Sequence, residues 1–73
     1  MSRRERIKLI REHDYAAEVE VELIESSDAW APYLTVEDAS KLDEVRLALR
    51  RGDVATALQS GRVFRLTPIS ATS

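Results

Sequence analysis

The chain has no cysteine, so neither a disulfide nor a thiolate metal site is available to it. His13 is its single histidine, too little imidazole for the site that zinc usually takes. No apolar run approaches the roughly 20 residues of a membrane-spanning helix. The opening Met-Ser-Arg-Arg-Glu-Arg is not followed by the apolar stretch of a signal peptide. The expectation is a cytoplasmic protein of bacterial type that makes no membrane contact. An excess of one charge is also lacking: 11 basic and 13 acidic residues leave a formal net charge of −2. That balance does not favour wholesale attraction to polyanions.

What is present fits one small globular domain. Of the 73 residues, 44% are apolar, enough for a core and too many for a disordered chain. Residues from about 4 to 69 are expected to be compact, with 70–73 a frayed tail behind Pro68. A chain of this size buries only about 60% of the surface its unfolded form exposes. Natural domains so small add a staple. With disulfides and metal set aside, association remains, so a homodimer or a complex with another protein is expected.

Two stretches alternate with period two. Residues 4–11 carry Ile7 and Leu9 between charges, and residues 15–25 place Tyr15, Ala17, Val19, Val21 and Leu23 on one face and Glu18, Glu20 and Glu22 on the other. This is the pattern of half-buried strands. A three-residue loop, Glu12-His13-Asp14, would set Leu9 opposite Ala17 and Ile7 opposite Val19. It would also build a charge ladder of Lys8 with Glu18, Arg6 with Glu20 and Arg4 with Glu22. A two-residue loop would put Leu9 against Glu18, so the three-residue loop is preferred. A third strand is expected over 29–34, with Leu23 facing Ala31; Pro32 in it suits an edge.

Thr35 is expected to cap a long helix, with Asp38 at its third position and Val36, Ala39, Leu42, Val45 and Leu49 along one apolar face. Gly52 ends it, Asp53 caps a short second helix over 54–59, and Arg62–Thr67 reads as a last strand. The fold class is α+β in the order β-β-β-α-α-β, a small antiparallel sheet packed on one long and one short helix.

Chemistry is harder to find. Glu12, His13 and Asp14 lie at a turn, where polar residues belong in any case. Glu37, Asp38, Asp43 and Glu44 are spaced as a solvated helix surface rather than as chelating pairs. No catalytic, cofactor or metal residues are assigned, and an enzyme is not expected. The preferred binding residues are Ile10, Ile24, Trp30 and Leu34, an apolar cluster expected on the sheet face away from the long helix, with Trp30 as anchor. The alternative is a small nucleic-acid-binding regulator using Arg3, Arg4, Arg6, Arg46, Arg50 and Arg51. The short second helix, mostly small and apolar, makes a poor recognition helix.

The stretch from Trp30-Ala-Pro-Tyr-Leu-Thr through Arg50-Arg-Gly-Asp53, with Arg62-Val-Phe-Arg-Leu-Thr-Pro68, resembles a family of small bacterial proteins that brings no activity with it. The element order, three strands, a helix and a return strand, also resembles the HicB-type antitoxins. This chain adds a second helix and lacks that family's Gly-Cys turn. The resemblance implies a partial ribonuclease-H-like fold and a small toxin as partner. The expectation is therefore a non-enzymatic protein-interaction module, antitoxin-like or self-associating.

Overall fold

The two alternating stretches fold as one long hairpin, β1 (Ser2–Glu12) and β2 (Tyr15–Glu25). The computed structural model describes residues 2–27 and 31–70. After the hairpin come β3 (Tyr33–Leu34), α1 (Val36–Arg50), α2 (Val54–Leu58) and β4 (Gly61–Arg65). The order is the expected β-β-β-α-α-β, an α+β fold with a four-stranded antiparallel sheet, one long helix and one short one. β2 is central. β1 lies along one side of it, while β4 pairs with residues 15–19 and β3 with residues 23–24 on the other.

The hairpin register differs from the expected one by a single residue. Glu12 pairs with Tyr15, so His13 and Asp14 alone make the turn. His13 has a φ of 55°, a left-handed conformation that histidine enters more readily than most residues and that two-residue hairpin turns require. Shifting a register by one residue exchanges the two faces of a strand. Arg4, Arg6, Lys8 and Ile10 therefore lie on the helix side, opposite Leu23, Val21, Val19 and Ala17. Ile7 and Leu9, expected in the core, are on the other face opposite Glu20 and Glu18, and are 65% and 68% exposed. The expected charge ladder is absent. Arg3 instead reaches Glu22 at 3.5 Å and Arg4 reaches Glu25 at 3.3 Å. Ile10, expected on the outer face, is buried in the core.

That core joins Ile10, Ala17, Val19 and Val21 of the sheet to Val45, Ala48 and Leu49 of α1 and Ala57 of α2. Val19, Val21, Val45 and Leu49 are its fully buried large side chains, each contributing about 1.5–3 kcal/mol by leaving water. Tyr15, Leu34, Leu42 and Val63 pack at its margin.

Thr35 caps α1 as expected, its hydroxyl accepting from the Asp38 N–H at 3.1 Å. At the other end Gly52, with φ 72°, turns the chain so that the Asp53 N–H reaches the Ala48 carbonyl at 2.8 Å. The apolar face of α1 is shorter than its spacing predicts. Val36 is 79% exposed and Ala39 is also exposed, while Ala48 is fully buried. The first turns of α1 meet backbone polar groups of β2, so polar side chains rather than Val36 and Ala39 face the sheet there.

Two further strands differ from expectation. β3 has two residues rather than six and pairs Leu23 with Leu34, not with Ala31. β4 begins at Gly61 rather than Arg62 and stops at Arg65, after which the Leu66 N–H still donates to the Asp14 carbonyl.

Gly61 sits opposite Val19 with its Cα so close to β2 that an added Cβ would overlap the Glu18 carbonyl oxygen. Because that neighbour is backbone, Gly61→Ala is expected to cost about 1–3 kcal/mol, measured as a lower melting temperature. A second test concerns Asp53. Its carboxylate accepts from the Thr56 hydroxyl at 2.6 Å and the Thr56 N–H at 3.2 Å. These bonds, with Arg51 nearby, hold its pKa below the ordinary 3.8. A depressed folded pKa adds stability above the unfolded value and loses it as pH falls through the folded one. Asp53→Ala should therefore melt earlier than wild type at pH 7, with the gap closing towards pH 2.

Candidate functional site

The residues that could carry chemistry are engaged in structure. Glu12 holds Arg50 at 2.7 Å, tying the hairpin end to the last turn of α1. His13 stands exposed at the turn. Asp43 pairs with Arg46 at 3.1 Å. Among the described residues, no three of His, Cys, Asp and Glu come together as a metal site would require.

An open groove of about 570 Å³ lies between the outer end of the hairpin and the start of α1. Its floor is the stretch of β2 that neither β3 nor β4 covers. There the Glu22 N–H donates to the Asp38 carboxylate at 2.8 Å, and Lys41 donates to the Glu20 carbonyl at 2.8 Å. Asp38 and Lys41 are one turn apart and 3.7 Å from each other. Together they substitute for the missing strand, because a sheet backbone shut off from a neighbour still needs hydrogen-bond partners. The Asp38 carboxylate thus turns away from the helix cap and into the sheet. Glu5 lines the same groove beside Glu20 and Glu22. Its hydrogen bond with Glu20 and the repulsion of both neighbours push its pKa up. The groove is a structural clasp with surplus negative charge.

The outer edge of β1 is the less explained feature. Since the Glu20 carbonyl and the Glu22 N–H point away from β1, the odd-numbered residues of β2 face β1, where they pair with even-numbered residues. Arg3, Glu5, Ile7, Leu9 and Arg11 therefore turn their backbone groups outward. No described strand pairs with them. Ile7 and Leu9 stand in the middle of this edge with exposed side chains. A long edge strand with exposed apolar residues is a template for a further strand.

The four residues expected to form one apolar cluster are not together. Ile24 is buried on the outer face, opposite Arg3 and Tyr33. Ile10 is in the core and Leu34 at its margin. Trp30 lies outside the described residues. The one-residue turn difference exchanged Ile10 for Ile7 and Leu9 on the outer face. The signal that could have found them was the His13-Asp14 pair read as a complete turn.

Five of the six arginines of the alternative set are held in ion pairs: Arg3 with Glu22, Arg4 with Glu25, Arg46 with Asp43, Arg50 with Glu12 and Arg51 with Asp53. They are spread over the hairpin and the end of α1 rather than gathered on one surface. No helix among the described residues is long and apolar enough to cross a membrane. No family model matches the chain, and no curated protein or solved structure matches it.

The clasp yields a test. Asp38→Ala leaves the Glu22 N–H without its acceptor, and an unpaired donor in a partly buried position costs about 1–2 kcal/mol, the low part of the usual range. The melting temperature should fall and the Glu22 amide should exchange hydrogen faster. Asp38→Asn, which keeps an acceptor oxygen, should retain most of the protection.

Proposed function

We propose that this chain is a non-enzymatic protein-interaction module that works by strand addition at the open edge of β1. One observation carries the reading: a strand of 11 residues has an outer edge that no described strand pairs, with Ile7 and Leu9 exposed at its centre. Strand addition supplies affinity through backbone hydrogen bonds and specificity through alternate side chains. The small core supports the same reading, since a domain of this size is commonly stabilised by a partner.

An antitoxin-like role, in which the edge captures a small toxin, is the specific form that the element order favours. Fold order alone is a weak guide to function, so the edge and not the analogy carries the proposal. On this reading the protein works in the cytoplasm; no helix among the described residues is long and apolar enough to cross a membrane. The nucleic-acid alternative draws less support, because acidic neighbours already occupy five of its six arginines.

The test is affinity capture with wild type and with Ile7→Lys/Leu9→Lys, the variant first shown by circular dichroism to be folded. The reading expects a protein chain, whether another copy or a different one, that wild type retains and the variant loses. Equal retention by both, or retention by neither, would remove it.

A further inference from the structure

Resting on that reading of the edge, we infer that its occupant is a second copy of this chain, paired antiparallel about a two-fold axis through Lys8, so that two sheets become one.

The outward backbone groups belong to residues 3, 5, 7, 9 and 11, so a symmetric antiparallel pair must set odd residues opposite odd residues. Few centres satisfy this, and their charges separate them. An axis through Arg6 puts Arg4 opposite the partner's Lys8 and Ile7 opposite the partner's Glu5. An axis through Ile7 puts Arg3 opposite the partner's Arg11 and Arg6 opposite the partner's Lys8, each twice. Like charges directly opposite are unfavourable. The Lys8 axis instead sets Ile7 opposite the partner's Leu9, and Glu5 opposite the partner's Arg11, each twice. On the outer face this makes a patch of four apolar side chains flanked by two opposite-charge pairs. On the helix side it sets Arg4 beside the partner's Glu12. Its adverse contacts are Lys8 with the partner's Lys8, two long exposed side chains that can diverge, and Arg6 opposite the partner's Ile10, whose side chain is buried in its own core. An axis through Leu9 loses the Ile–Leu pairs and places Ile7 opposite the partner's Arg11.

The single chain shows what each of these groups lacks. Glu5 sits among carboxylates, beside Glu20 and Glu22, and takes part in no ion pair among the described residues. Arg11 takes part in no ion pair among the described residues. The same register joins the two. It also leaves room for the helices. α1 crosses the sheet diagonally, from Glu22 and Glu20 on the far edge of β2 to Glu12 on β1. In the dimer the two Glu12 positions stand eight residues apart along the joined strands, ~27 Å at the rise of a strand.

The absence of cysteine makes the register testable. Light scattering across a dilution series should find twice the monomer mass at high concentration. Lys8→Cys should oxidise to a covalent dimer, because facing Cα atoms lie within disulfide reach; Arg6→Cys should not, its two copies being four residues out of register. Arg11→Glu should weaken the dimer about tenfold, the effect of losing two exposed pairs of about 0.7 kcal/mol each. Adding Glu5→Lys to it should restore dimerisation. A monomer at every concentration overturns the inference, as does a dimer in which Arg6→Cys cross-links as well as Lys8→Cys or Arg11→Glu has no effect. If wild type is monomeric while the Ile7→Lys/Leu9→Lys variant still loses a different captured chain, the second copy is ruled out and the edge reading stands. If no chain is captured either, both fall.

Discussion

A two-residue turn leaves no freedom in the pairing of the strands it joins. Once His13 and Asp14 close the hairpin alone, every side chain of β1 is assigned to a face. Ile10 goes under the helix, Ile7 and Leu9 go outside, and the basic side chains of residues 4, 6 and 8 line up beside Leu23, Val21 and Val19. The core, the open edge and the distribution of charge all follow from that one geometric choice. A competing register offers three opposite-charge pairs across the hairpin, but exposed pairs are worth only about 0.2–1 kcal/mol each. That is too little against the loss of Ile10 from the core.

The course of α1 explains why one apolar residue of β1 is enough. The helix is tied to Glu22 and Glu20 at its start and to Glu12 near its end, so it crosses the sheet and meets β1 near the hairpin turn, at Ile10 and Glu12. Had Ile7 and Leu9 faced the helices, only the residue nearest the hairpin turn could have been covered. The start of α1 is likewise committed to polar work. Asp38 and Lys41 satisfy backbone groups that a longer β3 or β4 would have paired, and Val36 remains exposed as a consequence. Gly61 admits β4 close enough to β2 for the short strand to pair at all.

These features bear on function through what remains unsatisfied. The groove beside Asp38 is concave, but its polar groups are engaged with the sheet. The edge of β1 is open, and its backbone groups and two apolar side chains have no described partner. Open edges are usually blunted by charge or by shortness. This one is long, and it carries charge at seven of its 11 residues, with Lys8 standing between the exposed Ile7 and Leu9.

Much of the architecture was legible in the residues. Alternation in 15–25 marks the central strand, Thr35 and Asp53 mark the two helix caps, and Gly52 marks the end of the long helix. These signals are local, because capping and strand alternation depend on neighbours a few residues away. Which face of β1 is buried was not legible. Residues 4–11 carry apolar side chains at both parities, Ile7 and Leu9 at one and Ile10 at the other, so alternation alone does not choose. The conformation of His13 at the turn and the reach of α1 decide it, and the second depends on contacts between residues distant in sequence. The sequence by itself determined the elements and their order. Only the tertiary structure decided that Ile10 is core and that Ile7 and Leu9 are surface, because a register is a relation between two strands and the helix that covers them.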